Sequence, residues 1–390
     1  MRVCYFGTYR TDYSRNQIMI EGLRRNGVEV TECHAQLWHS FQDRVQAVNG
    51  GWLRPSFWRR ALRTYARLLR RYRRVGNYDV LVVGYPGQFD VFLARLLSRL
   101  HHKPLAWDVF MSIYLIATER GLGAQSPATV KLVREVERIA CGLPDLLILD
   151  TTEYVAWFQA THNVSPDRFR LVPTGADDRM FRPPLNERVA EEPLRVTYYG
   201  TFIPNHGVEH IVEAAHLLGD DASIRFELIG EGPDKEKAVA LARHHNLSNV
   251  NFVGWLTKPE LAMRVSNADI CLGVFGITPQ SLMTVQNKIY EGLAMARPVI
   301  TGDAPAVRQA FEHGVHLYLC ERANPLALAE AVRTLKADPS LRQHLAESGY
   351  NLYREKFDLQ HNGARYAAHL RELIEDWHSD NLFSRSLTQA

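Results

Sequence analysis

The sequence predicts an α/β protein of two doubly wound domains, each a parallel sheet covered by helices. Three observations lead there. Short runs rich in β-branched and aromatic residues alternate with longer helical patterns along the chain. Those runs are near-continuously apolar, as strands buried on both faces of a parallel sheet must be. The series also starts twice, on either side of "FRPPLNERVAEEP" (Phe181–Pro193), a charged stretch with three prolines and no apolar period that reads as a linker. A chain of 390 residues exceeds one ordinary core, which agrees with a first domain over 1–185 and a second from 194 onward.

In chain order, "RVCYFG" (Arg2–Gly7) is the first strand, and the helix "NQIMIEGLRRNG" follows, closed by Gly27. "VEVTEC", "DVLVVG" (Asp79–Gly84), "PLAWD" (Pro104–Asp108) and "LLILD" (Leu146–Asp150) continue the first sheet. The second comprises "LRVTYYG" (Leu194–Gly200), "IRFELIG" (Ile224–Gly230), "VNFVG" (Val250–Gly254), "DICLGV" (Asp269–Val274), "RPVIT" (Arg297–Thr301) and "HLYLC" (His316–Cys320). Helical patterns at Pro325–Leu335, Pro339–Phe357 and Leu359–His378 close the chain.

Composition narrows the function. Hydrophobic content of 46% and charged content of 23% are those of an ordinary globular enzyme. Five scattered cysteines without a CxxC pair argue against a disulfide framework or a cysteine-held zinc, and fit a reducing cytosol. The opening "MRVCYFG" has no signal-peptide pattern, and no apolar run is long enough to span a bilayer, so a cytoplasmic location is expected. Residues 1–190 hold 27 Lys and Arg against 18 Asp and Glu, the remainder 19 against 25, so the halves face different electrostatic tasks.

Ligands of open parallel sheets bind at the carboxyl ends of the strands. Those ends include "FGTYRTDYS", "YYGTFIPNHG", "IGEGPD" and "VGWLTKPE", each with a glycine that lets backbone approach a ligand, and each leading toward a helix N-terminus suited to phosphate. None is a GxGxxG fingerprint or a P-loop, so neither NAD nor ATP is supported.

Six segments in order, "RLVPTGADDRMFRP", "YYGTFIPNHGVEHIVEAA", "FELIGEGPDKEKA", "VNFVGWLTKPEL", "NADICLGVF" and "KIYEGLAMARPVIT", resemble glycosyltransferase family 4. The resemblance implies a GT-B fold, two Rossmann-like domains facing a central cleft. It implies an acceptor-binding domain over 1–185, a donor-binding domain over 194–349, and C-terminal helices over 350–390 packing back on the first. It further implies hexosyl transfer with retention from a UDP- or GDP-linked nucleotide sugar to a glycan or lipid-linked acceptor, in surface polysaccharide or glycoconjugate synthesis. The nucleotide sugar is a co-substrate, and no further cofactor is expected. No DxD-type carboxylate pair ends a strand of the second domain, so no metal is expected.

Site residues follow from the motifs. Glu291 resembles the glutamate that holds the donor ribose, and a carboxylate accepts two hydrogen bonds from a cis-diol. Lys288, one turn earlier, can point the same way and meet the diphosphate, with Asn287 and backbone amides adding bonds. Gly200, Thr201, Gly230, Gly254 and Trp255 complete the expected donor set; Trp255 either covers the base or packs in the core. In the first domain Gly7, Thr8, Tyr9 and Arg15 are expected at the acceptor or cleft.

The chain departs from the family at four positions. Thr201 and His206 stand where an Arg and a Lys serve phosphate, and a histidine carries full charge only near or below its ordinary pKa of about 6.5. Trp107 stands where a catalytic His precedes Asp108. Met283 replaces a glutamate that approaches the donor sugar, so a deoxy or amino sugar, or reading by Gln280, Ser281, Thr284 or Gln286, remains open. Asp108, His206 and Lys288 are the expected catalytic groups. The departures keep alive a catalytically impaired binding or assembly subunit, and a sugar-nucleotide epimerase is the other alternative.

Finally, "WLRPSFWRRALRTYARLLRRYRR" (Trp52–Arg74) holds nine arginines and no acid from Arg54 on, with apolar residues at helical spacing. It is either an amphipathic helix on an anionic membrane surface, which would make the protein peripheral at the inner face, or a helix packed by its apolar stripe with a solvated basic face. Nucleic acid is not expected, because the second half is acidic.

Overall fold

The computed structural model describes residues 1–37, 55–184 and 193–388. Residues 52–54 of the basic segment and 185–192 of the linker lie outside the described residues. The chain divides into two compact units, residues 1–173 with 359–390, and residues 174–358.

In the first unit six parallel strands form one sheet: β1 (Arg2–Gly7), β2 (Glu29–His34), β3 (Val80–Val83), β4 (Leu105–Asp108), β5 (Leu146–Leu149) and β6 (Phe169–Leu171), in the order β2-β1-β3-β4-β5-β6. Strands β3, β4 and β5 are buried at every residue, which explains their unbroken apolar runs. β6 has three residues at the sheet edge with Arg170 in the middle, so it does not stand out as an apolar run. The helices Ser14–Arg25 and Leu359–Thr388 meet at two glycines; a Cβ on Gly363 would lie 2.0 Å from the Gly22 carbonyl oxygen. That contact admits no side chain, and it brings Tyr366 and Leu370 into one core with Val3, Ile18 and Val80.

The second unit repeats the plan with β7 (Leu194–Tyr199), β8 (Ile224–Ile229), β9 (Val250–Val253), β10 (Ile270–Leu272), β11 (Val299–Gly302) and β12 (Tyr318–Cys320), all parallel, in the order β12-β11-β10-β7-β8-β9. Read from β9, this is the 3-2-1-4-5-6 order of dinucleotide-binding sheets. The chain reverses direction between β7 and β10, and ligands of such sheets bind at that switch point.

The unit boundaries differ from those read in the sequence. Ala176 and Phe181 are buried with Tyr199, Ile289 and Tyr353, so the second unit begins at Thr174, ahead of the charged stretch. The helix Pro339–Lys356 stays with it, because Tyr353 fills that core and its hydroxyl donates to the Ala176 carbonyl at 3.2 Å. Only the last helix, from Leu359, returns to the first unit.

One ion pair is central to the first unit. The Arg15 guanidinium meets the Asp108 carboxylate through Nε at 2.9 Å and Nη2 at 2.9 Å, and its Nη1 donates to the carbonyls of Val172 and Pro173. Both side chains are fully enclosed. Removing one member strands the other charge, so Asp108→Ala is expected to lower the unfolding free energy by about 3–5 kcal/mol. Urea titration of the two proteins measures it; equal midpoints would mean that the pair does not hold the unit.

Candidate functional site

The site is assembled from the ends of β7 and β10. β7 closes with Tyr198, Tyr199 and Gly200, and alternation along the strand sends the two tyrosines to opposite faces. Past β10 the chain forms a short helix, Pro279–Met283, whose N-cap Thr278 accepts from the Ser281 amide. It then runs extended to Gln286 and begins the helix Asn287–Ala294. No side chain caps that helix and its first turn has no acid, so its first amides face the switch point unneutralised.

Lys288 is buried there. Its Nζ lies 4.7 Å from the centre of the Tyr198 ring and 3.3 Å from His206 Nδ1. A Cβ on Gly200 would lie 2.9 Å from the same nitrogen, and Gly200 has φ +143°, so only glycine serves at that position. Burial brings the Lys288 pKa down to about 7 in spite of the opposing Glu291 charge. Glu291 is likewise buried, and burial pushes its pKa up to about 7, against the Tyr199 hydroxyl, Lys258 and Lys288. Each of these two groups is therefore held near the point where its charge is lost at neutral pH.

His206 ends the turn Pro204–His206. Its Nδ1 lies 2.7 Å from the Tyr198 hydroxyl as well as near Lys288, and that hydroxyl donates to the Thr201 carbonyl at 3.1 Å. Burial and the Lys288 charge hold its pKa well below the ordinary value, with the Thr201 carbonyl opposing. His206 thus brings no charge at neutral pH, which leaves Lys288 as the cation of the group.

Three buried polar atoms beside Lys288 have no partner: Thr284 Oγ1, Gln286 Oε1 and Asn287 Nδ2. Unpaired buried groups are costly, and three in four residues mark a place built to meet something polar. Of the four residues that could stand in for the glutamate missing at Met283, Gln280 is engaged by Asn205 at 2.8 Å, and Ser281 donates to the Gly276 carbonyl at 2.7 Å. Thr284 and Gln286 are the two left unpaired. Met283 itself is buried.

The other expected donor residues divide. Gly230 allows a close approach of loops, because a Cβ there would sit 1.9 Å from the Gly200 carbonyl oxygen. Gly254 follows β9, and a Cβ there would lie 3.3 Å from Glu231 Oε1. Trp255 is 60% exposed, so it does not pack in the core. Thr201 is half-buried beside its strand end.

In the first unit the sequence expectations need correction. Asp108 and Arg15 are spent on each other in a sealed pair and present no atom to a substrate, so Asp108 is not an available catalytic group and Arg15 not an acceptor contact. Gly7, Thr8 and Tyr9 are also enclosed. The Thr8 amide and hydroxyl donate to Asp90, a Cβ on Gly7 would lie 2.8 Å from Asp90 Oδ2, and the fully buried Tyr9 donates to Glu32. Gly7 and Thr8 join β1 to the helix Asp90–Leu100, and Tyr9 ties the same loop to β2, instead of lining a surface.

Sequence reasoning missed Tyr198 and Tyr199. Tyr198 underlies Lys288 and bonds His206; Tyr199 donates to the Lys288 carbonyl at 3.2 Å and lowers the Glu291 pKa. Adjacent tyrosines just before a strand-end glycine were the available signal. Arg322 was also missed. Its Nε and Nη1 hold the carbonyls of Asp303 and Gly276 at 2.7 and 2.8 Å, which fixes the loop after β10.

Residues 193–338 match the family described as Glycosyl transferases group 1. That match lies within the second unit. The chain is 27% identical over 202 residues to an alpha-D-kanosaminyltransferase of Streptomyces kanamyceticus, 51% of either chain, so it spans about half the length of that curated relative. Its fold is that of GT-B glycosyltransferase structures. It is similar to a sucrose-phosphate synthase from Thermosynechococcus elongatus with TM-score 0.73 and 16% identity, over 96% of this chain and 99% of that one. It is also similar to Anabaena Alr3699/HepE in complex with UDP, with TM-score 0.67 and 12% identity, over 95% of this chain and 99% of that one.

Lys288 predicts a pH dependence. An anionic ligand favours its charged form, which in the free protein is lost as pH rises through about 7. Glu291 gains charge over the same interval, so above about pH 8 the remaining dependence is that of Lys288. Calorimetric titration with a nucleoside diphosphate is expected to show affinity falling there, toward tenfold per pH unit, and Lys288→Arg to flatten the profile. A flat wild-type profile would contradict the assignment.

Proposed function

We propose that the protein is a retaining glycosyltransferase that moves a hexosyl group from a nucleoside diphosphate sugar to a glycan or lipid-linked acceptor, in surface polysaccharide or glycoconjugate synthesis. The observation that carries the reading is the convergence of Lys288, His206 and the uncapped helix start at Asn287 on the switch point of the unit that matches the group 1 family. Lys288 and the first amides of that helix would hold the diphosphate, and Glu291 would take the ribose hydroxyls. The exposed Trp255 would offer a face to the base. Thr284 and Gln286 would read the sugar from the side where Met283 offers no acceptor, which favours a donor with an amino or deoxy edge.

In the reaction the anomeric C–O bond to the diphosphate breaks, and its electron pair goes to the β-phosphate oxygen. The acceptor oxygen bonds the anomeric carbon, and its proton passes to the β-phosphate oxygen that is released. Charge develops on the leaving diphosphate, which is where a buried cation in a low-dielectric site stabilises the transition state most. His206 adds a hydrogen bond without charge. The acceptor would be met at an anionic membrane surface, for which the arginine face of the helix Pro55–Tyr72 supplies charge.

A panel of UDP-, GDP- and dTDP-sugars, read by nucleotide release, tests the reaction. One donor should turn over, and Lys288→Ala should lower its kcat/KM about 10²-fold or more. The anomeric configuration of the product, read by NMR, tests retention. Turnover unaffected by Lys288→Ala would sink the assignment of that residue, and the absence of turnover with every donor would sink the reading as a whole.

A further inference from the structure

Six large apolar side chains on two neighbouring helices of the first unit face solvent. On the helix Asp90–Leu100 the positions facing the core are Val91, Ala94, Leu97 and Ser98. The opposite face carries Phe92, Leu96 and Leu100, and Phe89 precedes it on the same side. At three- and four-residue spacing these four form one stripe along the helix. On the helix Pro55–Tyr72 the buried stripe is Ala61, Thr64, Leu68 and Tyr72, whereas Trp58 and Leu62 are exposed. All six are between 39% and 73% exposed.

The two helices lie side by side, with Trp58 and Leu62 toward the Asp90 end. The connections from β2 to β3 and from β3 to β4 run the same way across the sheet, so right-handed crossovers put both helices on one of its faces. Tyr65 donates to Asp90 Oδ1 at 2.7 Å, and at the other end the Tyr72 ring meets His101 at 5.5 Å. Trp58, Leu62 and Tyr65 share a helix face at i, i+4 and i+7, so Trp58 and Leu62 lie on the side turned toward the second helix. The remaining solvent face of the first helix carries Arg59, Arg63, Arg67, Arg70 and Arg71. Among the described residues Arg63, Arg67 and Arg70 have no acidic partner.

We propose that this two-helix face is a bilayer-docking surface, in which Phe89, Phe92, Leu96, Leu100, Trp58 and Leu62 enter the acyl boundary and the flanking arginines take anionic headgroups. Four exposed apolar side chains in one stripe, with Trp58 and Leu62 toward its Asp90 end, make a surface of the kind that marks a contact site. A duplex or an acidic peptide would use the arginines but leave the phenylalanine–leucine stripe unused; an anionic bilayer uses both. The contact is peripheral, since no helix among the described residues is long and apolar enough to cross a membrane. The inference deepens the membrane element of the proposed function by naming the inserting side chains, and it stands whether or not the sugar-transfer reading does.

The test uses the whole protein with no donor or acceptor. Flotation with phosphatidylcholine vesicles, alone and mixed with phosphatidylglycerol, is compared for wild type, Phe92→Ser/Leu96→Ser/Leu100→Ser and Arg63→Gln/Arg67→Gln/Arg70→Gln. Wild type is expected to float with the anionic vesicles. The arginine variant should lose about a hundredfold in partition, at roughly fivefold per basic residue near an anionic surface. The serine variant should lose about tenfold or more by withdrawing apolar area. All substituted positions are exposed, and circular dichroism checks that the variants fold; single Leu100→Ser serves if the triple variant does not. Wild type remaining with neither vesicle, or serine variants floating like wild type, overturns the proposal. So does light scattering that shows a lipid-free dimer abolished by the serine substitutions, because the face would then belong to a second copy.

Discussion

Where β7 ends, position 200 has no room for a methyl group. A Cβ there would stand 2.9 Å from the Lys288 ammonium, and one at Gly230 would stand 1.9 Å from the Gly200 carbonyl. These two absences let two strand-end loops close on each other while a lysine is drawn under them, over the Tyr198 ring and against His206. The site depends on that approach. It removes the ammonium from water, which lowers its pKa to about 7, and it removes the Glu291 carboxyl from water with the opposite consequence. In the proposed reading, an anion and hydroxyl groups that pair with them would offset the cost of holding both groups near neutrality.

The two units use similar topology for different ends. In the second, the switch point between β7 and β10 is lined by groups left unpaired: Thr284 Oγ1, Gln286 Oε1, Asn287 Nδ2 and the first amides of an uncapped helix. In the first, the equivalent polar groups are consumed internally. Asp108 is closed by Arg15, and Asp90 by Thr8 and Tyr65, so the loops after β1 and β4 are rigid joints. What the first unit shows to solvent is its two-helix face, with arginines beside exposed Phe92, Leu96 and Leu100.

The fold was readable because it is written in local pattern. Eleven strands appear as short runs in the sequence, whereas β6 is three residues with Arg170 in the middle and shows no apolar run. The site was half readable. Lys288, Glu291 and Asn287 stand close together in sequence and fall together in space, as helical spacing dictates. Arg15 and Asp108 are 93 residues apart, and nothing in either local stretch reveals that each satisfies the other. Phe181 looked like linker because its neighbours are charged and proline-rich, yet it fills the second core. The stripe on Asp90–Leu100 was hidden for a different reason: "DVFLARLLSRL" is apolar on both faces, and composition does not say which of them the sheet covers.

The central claim is that the switch point of the second unit is a diphosphate cradle organised around Lys288. A crystal structure with a bound nucleoside diphosphate tests it most directly. The account predicts the β-phosphate within hydrogen-bond distance of Lys288 Nζ and of the amides at the start of the Asn287–Ala294 helix, with the ribose hydroxyls on Glu291. A diphosphate bound elsewhere, with Lys288 still enclosed between Tyr198 and His206, would contradict it.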